Sequence, residues 1–351
     1  MKKLFTCLLL LAVFSILGCS SDEKNTVNDD RRVLNLYSWA DHFDPVLVEE
    51  FEQQYNCRVN YDTFGNNEEL FAKIKAGGAQ YDLILPSDYM VATMLKLDML
   101  EEFNLDNIPN AQNLTPDLRY PSYDPSGKHS LVYTWGITGI IYNTRYIKEQ
   151  PQHWADLWNP QYEGRLVLMN DCREVMGMAL KKNGHSNNST NPQEVREAFL
   201  DLKQLSPLVL AYDTDTIKQK FIADEGWIGT IWSGDASFVH KENKDIAFVI
   251  PEEGTVIWAD TFAIPKGAKH KELAEQFINF FYGDEISARN YEYVGYSNPI
   301  LTARPYQTQE FLNDPMLKIG EEGKHRGEWL TDIGAALPMY DRYWTEIKTG
   351  R

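Results

Sequence analysis

Three short segments decide the fold of this chain: VLNLY at 33–37, CRVNY at 57–61 and YDLIL at 81–85. Each is apolar enough to form a strand, and the stretches between them, 45–54 and 68–76, carry apolar residues at helical spacing. Gly77 and Gly78 follow the second stretch, and glycine commonly ends a helix. Strands that alternate with helices predict a parallel sheet covered by helices.

The same alternation returns in the middle of the chain. Strands are predicted at 165–169, 227–232, 245–250 and 257–264, and helices at 173–182 and 192–205. From residue 271 onward the sequence predicts helices, with an interruption at 295–299. Two α/β lobes with a cleft between them explain this order. The apolar runs 131–142 and 257–264 are expected to cross from one lobe to the other.

The loops that follow the predicted strands share one chemistry. Ligands of parallel sheets bind beyond the carboxyl ends of the strands, where Lys and Arg are nearly absent here and Arg173 is the exception. The candidate residues are Trp39, Asp41, Ser87, Asp88, Tyr89, Asp171, Glu174, Trp232, Asp235, Trp258, Asp260 and Tyr296. Aromatic faces attract ammonium groups, by about 0.5–2 kcal/mol each, and carboxylates accept charge-assisted hydrogen bonds from them. The set predicts a site for an elongated organic cation.

Several of these residues also fit a purely structural role. The carboxylates that fit helix N-caps are Asp41, Asp171 and Asp235. Asp171 with Glu174 three residues later also matches a capping box. Trp232 and Trp258 lie within strands and fit a hydrophobic core as well as a cleft. These residues nevertheless gather at strand ends, and this shared location favours a binding site.

Composition limits the class of protein. The chain has 351 residues, with 34 Lys and Arg against 51 Asp and Glu, and a formal net charge of −17. This acidity argues against nucleic-acid binding, which needs clustered basic residues. No Cys or His cluster has the spacing of a zinc site, so neither a metal nor a cofactor is expected. Cys57 and Cys172 fit either two buried thiols or one disulfide.

The N-terminus has the features of an export signal. Two lysines precede an apolar run at 4–17, which is shorter than the roughly 20 residues that span a bilayer. The sequence ILGC at 16–19 resembles a bacterial lipobox. We therefore predict a signal peptide over 1–18, a lipid on Cys19 and a flexible tether over 19–32. An ordinary signal peptide that happens to contain a cysteine is the alternative.

Seven motifs lie in order along the rest of the chain: LYSWAD at 36–41, YDLILPSDY at 81–89, WADLWNPQY at 154–162, DCREV at 171–175, IWAD at 257–260, GYSNP at 295–299 and GEW at 327–329. Through them the chain from 33 to 351 resembles the periplasmic spermidine/putrescine-binding proteins of bacterial ABC importers, the PotD/PotF family. The resemblance implies a two-lobed periplasmic-binding-protein fold of type II, an α/β fold. Each lobe would hold a mixed, mostly parallel sheet flanked by helices, with the ligand cleft at the hinge. The expected lobes are 33–137 with 260–304, and 138–259 with 305–351.

The resemblance also implies a role for each candidate residue. The aromatics that would enclose the methylene chain are Trp39, Trp232, Trp258 and Tyr296. The carboxylates that would hold amine groups are Glu174 and Asp260, with Asp171 as in spermidine-binding members and Asp41 and Asp235 as in putrescine-binding members. The remaining expected contacts are Ser87, Tyr89 and Thr214, with Ser38, His42 and Asp88 as weaker candidates.

Three positions depart from the family pattern. His42 stands where a tyrosine is usual, Ala40 lacks the usual hydroxyl, and Leu330 replaces a glutamine that can bond the far end of spermidine. These departures leave the length of the ligand open. If His42 faces the cleft, affinity is expected to change with pH, because histidine titrates near neutrality.

The expected function is that of a lipid-anchored, monomeric solute-binding protein of the periplasm or cell surface. It would capture spermidine or putrescine, or both, without chemistry and deliver it to a membrane permease, a partner that only the resemblance implies. A binder of another small ligand on the same fold, or a polyamine sensor, is the alternative. A glycoside hydrolase is disfavoured because its acid and nucleophile are not identifiable among dispersed carboxylates.

Overall fold

The computed structural model describes residues 31–77 and 80–350, and the chain from Arg32 onward forms one compact unit. The strands of this part are β1 (Arg32–Ser38), β2 (Cys57–Thr63), β3 (Leu83–Ile84), β4 (Ser130–Asn143), β5 (Leu166–Leu168), β6 (Val209–Tyr212), β7 (Ile228–Trp232), β8 (Ile246–Val249), β9 (Thr255–Ala263) and β10 (Gly327–Trp329). Its α-helices are α1 (Pro45–Tyr55), α2 (Asn67–Ala76), α3 (Asp88–Lys96), α4 (Pro116–Arg119), α5 (Cys172–Lys182), α6 (Pro192–Leu205), α7 (Ile217–Ile222), α8 (Ser233–Glu242), α9 (Lys271–Phe281), α10 (Asp284–Val294), α11 (Gln309–Leu312), α12 (Pro315–Gly323) and α13 (Leu337–Thr349). Short 3₁₀ helices lie at Leu105–Asn107, Pro109–Asn113, Trp154–Trp158, Pro160–Tyr162, Ser206–Leu208, Leu301–Tyr306 and Gly334–Ala336.

The first part of the chain forms the predicted βαβαβ unit. Strand β1 pairs in parallel with both β2 and β3, and α1 and α2 connect them. Asp44 caps α1 by accepting a hydrogen bond from the backbone N–H of Val46. Gly77 ends α2 in the left-handed conformation, as its position predicted, while Gly78 lies outside the described residues.

Two long strands connect the two halves of the sheet, whose order is β2-β1-β3-β9-β4-β7-β5-β6, with β10 on β9 and β8 on β4. Strand β4 pairs with β9 over Ser130–Ile137 and then with β7 over Thr138–Tyr142. Beyond it, β5 runs parallel to both β6 and β7. A strand that changes partners halfway along is what a crossing between lobes requires, and the lobe boundaries given above remain a prediction.

Aromatic packing dominates the core beside β1 and β9. Phe43, Phe51, Phe277 and Phe281 are all at most 2% exposed. Phe43 packs edge to face on Phe277 and Phe281, and Phe51 on Phe277, with ring centroids 4.8–5.2 Å apart. A second cluster surrounds Trp154, beside α5, α6 and α13. These clusters fix the strand ends from which the cleft is built.

Some expectations from the sequence were wrong. Asp41 is not a helix cap, because α1 begins after Asp44, and Asp235 lies inside the first turn of α8 instead of capping it. Cys172 carries a free thiol, so the alternative of a disulfide with Cys57 is wrong. Strands β6 and β10 and helices α3, α7 and α8 were not predicted, because most are short and because residues 86–88 and 233–235, where α3 and α8 begin, have the composition of turns. No helix in residues 31–77 and 80–350 is long and apolar enough to span a membrane, and Cys19 lies outside the described residues.

Candidate ligand-binding cleft

The residues predicted at the strand ends lie close together in the structure. Trp39 directly follows β1, Ser87 follows β3, and Trp232 ends β7. Trp258 and Asp260 lie in β9, and an isolated bridge joins the backbones of Ser87 and Asp260. Because β1 and β3 are parallel, their carboxyl ends open at the same edge, and β9 carries its two residues past that edge.

Four aromatic rings form a continuous wall across the cleft. Ring centroids lie 5.6 Å apart between Trp39 and Trp232, 5.7 Å between Trp232 and Trp258, and 5.5 Å between Trp258 and Tyr296. Neighbouring rings meet at 64–76°, so each contacts the next edge to face. Trp258 is also a member of the hydrophobic core cluster beside β1, and Trp232 packs against that cluster, so a core role and a cleft role both remain open for these two residues.

Two glycines make room for this wall, and neither was predicted from the sequence. A Cβ atom on Gly136 would lie 2.6 Å from Cζ2 of Trp258. A Cβ atom on Gly234 would collide with the ring of Tyr296. A signal was available, since glycine inside a strand often marks a close approach by another group, and Gly136 lies in β4.

Asp260 is the central carboxylate and is 3% exposed. Its Oδ1 accepts a hydrogen bond from Oγ of Ser87 at 2.9 Å, and its Oδ2 lies 3.0 Å from Nε2 of His42. Asn67 holds Ser87 in place, accepting from its backbone N–H at 2.9 Å and donating to its hydroxyl at 3.0 Å. Asn67 was not predicted, because nothing in its own segment connects it to β9.

His42 faces the cleft, as the pH argument required. Its Nε2 meets Asp260, and its Nδ1 lies 3.3 Å from the carbonyl oxygen of Ala40. A neutral imidazole has only one N–H donor, whereas the imidazolium has two. Both contacts are therefore hydrogen bonds at once only when His42 is protonated, and the histidine then acts as an internal cation beside Asp260.

Asp171 and Glu174 form the inner end of the cleft. Asp171 caps α5, because its Oδ1 accepts from the backbone N–H groups of Arg173 and Glu174 at 2.9 and 3.0 Å. The capping box is incomplete, since Glu174 instead accepts from Oγ1 of Thr138 at 2.8 Å and Nε1 of Trp232 at 3.1 Å. Burial, reinforced by the charge of Asp171, raises the pKa of Glu174 to about 8.

The cation nearest to this inner end is occupied elsewhere. Arg173 donates to the carbonyl oxygen of Thr331 and to Oδ1 of Asn188, and its guanidinium carbon lies 4.9 Å from the ring centroid of Tyr89. Among the described residues, no Lys or Arg nitrogen lies within 4.0 Å of the Asp171 carboxylate. Burial also raises the pKa of Asp171 above its ordinary value. The inner carboxylates thus lack a cation within salt-bridge distance, and the more distant charge of Arg173 only partly offsets the effect of burial on their pKa values.

Asp41 and Asp235 form the outer end of the cleft. The ammonium of Lys218 lies 3.0 Å from Oδ2 of Asp41 and 3.7 Å from Oδ1 of Asp235. Burial, with the charges of Asp235 and Asp260, holds the pKa of Tyr296 well above its ordinary value, which places this ring between the outer end and the centre. The expectation that Arg173 is the one exception among the basic residues was incomplete, because α7 brings Lys218 to the same place.

The space inside the cleft is divided. A central chamber of about 10 Å³ contains most of the predicted residues: Trp39, His42, Ser87, Tyr89, Asp171, Glu174, Trp232, Trp258, Asp260 and Tyr296. An outer chamber of about 270 Å³ contains Asp41, Thr214 and Asp235. The Thr214 hydroxyl accepts from the backbone N–H of Asn170. Since the central chamber holds about one water molecule, the lobes must separate to admit an elongated ligand.

Two weaker candidates lie outside both chambers. Ser38 is buried at the end of β1 and lines neither chamber. Asp88 lines a separate cavity of about 680 Å³ behind Tyr89 and Leu330, and burial raises its pKa well above the ordinary value. The Tyr89 hydroxyl lies 3.3 Å from Oε1 of Glu68, whose pKa burial raises to about 7. Ser38 and Asp88 therefore lie outside the two chambers, while Asp88 stays close enough for the charges of Asp260 and Glu174 to raise its pKa further.

Comparison with known proteins agrees with this architecture. A family model described as bacterial extracellular solute-binding protein matches residues 46–319. The spermidine/putrescine-binding periplasmic protein of Escherichia coli is 38% identical over 326 residues, which cover 92% of this chain and 93% of that protein. Spermidine/putrescine-binding periplasmic protein 1 of Haemophilus influenzae is 33% identical and covers 90% of this chain and 89% of its own.

Solved structures give the same result for the fold. A putative spermidine/putrescine ABC transporter protein from Listeria monocytogenes matches with a TM-score of 0.88 at 33% identity, covering 91% of this chain and 100% of its own. The Tp0655 (TpPotD) lipoprotein of Treponema pallidum matches with a TM-score of 0.81 at 32% identity, and the match covers 90% of this chain and 99% of that protein. The two-lobed fold expected from the sequence is confirmed.

Proposed function

The chain belongs to the family of bacterial extracellular solute-binding proteins, and from that premise we propose that it binds a polyamine, spermidine or putrescine, for an ABC importer. The observation that carries this proposal is the set of buried carboxylates, Asp171, Glu174 and Asp260, enclosed by an aromatic wall. The names of the relatives described above point to the same class of ligand.

The electrostatics favour an organic polycation over other solutes. A buried carboxylate without a cation is costly, and the cost here is visible in the raised pKa values of Glu174 and Asp171. An ammonium group removes that cost and donates charge-assisted hydrogen bonds. The ring faces of Trp39 and Trp258 suit the methylene chain between two ammonium groups. A sugar would leave the carboxylates unpaired, and an anion would be repelled by them.

The mechanism is capture without covalent chemistry. With the lobes apart, the acidic cleft attracts the polycation electrostatically. Closure then encloses the methylene chain between the rings and places one ammonium at Asp260 and another at the inner end. No pair of side chains is needed as acid and nucleophile, so we propose a binding protein and not an enzyme. The closed form then docks on a membrane permease.

The proposed setting is the outer face of a bacterial membrane. The predicted signal peptide and lipidated Cys19 lie outside the described residues, as does most of the predicted tether, and these features support a lipid anchor in the periplasm or at the cell surface. We propose that the anchored protein is a monomer. The tether would let the folded part of the chain stay in solution and still reach a permease in the same membrane.

Isothermal titration of the chain from Asn25 onward tests the proposal. The purified protein is unfolded and refolded first, because bound polyamine can survive purification, and is then titrated with putrescine, cadaverine, spermidine and spermine. Tight binding of one or two of these amines, at about micromolar affinity or better, supports the proposal. A folded, ligand-free sample that binds none of them would contradict it.

A further inference from the structure

The outer end of the cleft contains a cation that belongs to the chain itself. Lys218, near the start of α7, points its ammonium between Asp41 and Asp235, at 3.0 and 3.7 Å. The Lys218 side chain is 13% exposed, as is that of Asp235, whereas that of Asp41 is 60% exposed. The pair of carboxylates expected to hold a ligand amine is thus already bridged by a primary ammonium.

The surroundings keep this lysine charged. Burial alone would lower the pKa of Lys218, but the carboxylates of Asp235 and Asp41 outweigh it and raise the pKa above its ordinary value. The Lys218 ammonium also lies 5.3 Å from the ring centroid of Phe238. A carboxylate pair and an aromatic face are the features that the cleft would offer to a polyamine amine, and here a lysine side chain receives them.

We propose that Lys218 determines ligand specificity by permanently occupying the outer amine position of the cleft. This inference rests on the proposed polyamine-binding function. It follows that the ammonium groups of the ligand are confined to Asp260 and to the inner end formed by Asp171 and Glu174. A longer polyamine has no carboxylate pair for an additional ammonium at the outer end, so the protein favours ligands with few charges.

The same ion pair also acts as a latch on the closed cleft. Asp41 follows β1 in the predicted first lobe, whereas Lys218 and Asp235 lie on α7 and α8 in the predicted second lobe. The 3.0 Å contact between Lys218 and Asp41 therefore forms only when the lobes are together. The latch needs no ligand, since all of its groups belong to the chain.

Replacing Lys218 with a residue that keeps a long apolar side chain tests both the specificity role and the latch. Lys218→Met keeps an unbranched apolar side chain and frees Asp41 and Asp235. Lys220→Met is the matched control, because Lys220 lies on the same helix but pairs with Asp213 at 2.6 Å and lines neither chamber. If Lys218→Met does not fold, Asp41→Asn breaks the same bridge from an exposed loop. Wild type and variants, all from Asn25 onward, are titrated with putrescine, spermidine and spermine, and ligand-free samples are measured by small-angle scattering.

The two readouts separate this inference from the proposed function. We expect Lys218→Met to raise the affinity for spermine relative to putrescine by about tenfold or more, with Lys220→Met unchanged. We also expect a larger radius of gyration for ligand-free Lys218→Met or Asp41→Asn than for wild type. A spermine-to-putrescine ratio within about twofold of wild type would overturn the specificity role. If wild type binds no polyamine, the proposed function fails, and an unchanged radius of gyration in the variants would overturn the latch independently.

Discussion

The two acidic ends of the cleft balance their negative charge by different means. At the outer end, Asp41 and Asp235 share the ammonium of Lys218. At the inner end, Glu174 is met by a hydroxyl and an indole N–H, and Asp171 by two backbone N–H groups. Dipolar donors offset only part of the cost of burying a charge, and a cation offsets more of it.

The pKa values record the same difference. Burial raises the pKa of Glu174 to about 8, so the inner end favours a proton in place of a missing cation. At the outer end, the charges of Asp235 and Asp41 raise the pKa of Lys218 despite its burial. A ligand ammonium therefore gains most at the inner end, where it replaces a proton, and least at the outer end, where it would have to displace a lysine.

The largest expected effect compares one neutralised carboxylate at each end. Glu174→Gln keeps the shape of the side chain but removes the charge, and we expect a loss of polyamine affinity of about 2–5 kcal/mol, or roughly 30-fold or more. Asp235→Asn at the outer end should cost less than about 1 kcal/mol, because Lys218 already pairs with that carboxylate. Isothermal titration measures both losses. Equal losses at the two ends would show that the lysine does not distinguish them.

The next effect concerns the wall between the outer end and the centre. Gly234→Ala places a Cβ 2.4 Å from Cδ1 and Cε1 of Tyr296, so the ring must shift. We expect a loss of about 1–3 kcal/mol in the free energy of unfolding, with weaker binding as well. Gly320→Ala is the control. Gly320 lies within helix α12, and a Cβ there would lie at an ordinary contact distance of 3.7 Å from Ser233, so this substitution should not destabilise the protein. Denaturant unfolding and titration give the two readouts, and wild-type behaviour of Gly234→Ala would mean that the ring position is not fixed by packing.

Much of this site could be predicted from sequence. Parallel strands and their terminal loops follow from periodicity, and together they predict that Trp39, Trp232 and Asp260 lie at one edge of the sheet. The ion pairs could not be predicted. Asp41 and Lys218 are 177 positions apart, and His42 and Asp260 are 218 positions apart, with nothing local that marks them as partners. Lys218 is also on a helix of six residues, too short for its apolar pattern to show which side faces the cleft.

A smaller effect is the pH dependence of the inner end. Because Glu174 holds a proton in the free protein up to about pH 8, an ammonium that binds there must release that proton. Affinity should therefore rise with pH, by roughly fivefold between pH 7 and 8. The free energy of unfolding of the ligand-free protein should change in the opposite sense. Between pH 4.5 and about pH 8, the folded state binds more protons at Glu174 than the unfolded state does. The free energy of unfolding therefore falls as the pH rises through this range.

Titration in buffers of different ionisation enthalpy measures the released proton directly. Asp171 and Arg173 act on the same carboxylate, the first raising and the second lowering its pKa, so Glu174→Gln is the variant that isolates the effect. Any pH dependence that survives in Glu174→Gln comes from other groups near the cleft, among them Asp171 and Glu68, whose pKa values burial raises. Affinity that stays constant from about pH 5.5 to 8 in wild type would reject the pH dependence expected from Glu174.

The smallest expected effect comes from a second ion pair that joins the predicted lobes. Lys96 on α3 lies 2.5 Å from Asp332, but its side chain is 67% exposed, against 13% for Lys218. Water and salt screen such a pair, so Lys96→Met should change the free energy of unfolding by less than about 1 kcal/mol. Polyamine affinity and the ligand-free radius of gyration should stay at wild-type values, in contrast to Lys218→Met. If Lys96→Met opens the cleft as far as Lys218→Met does, closure depends on the total number of ion pairs between the lobes and not on burial at the outer end.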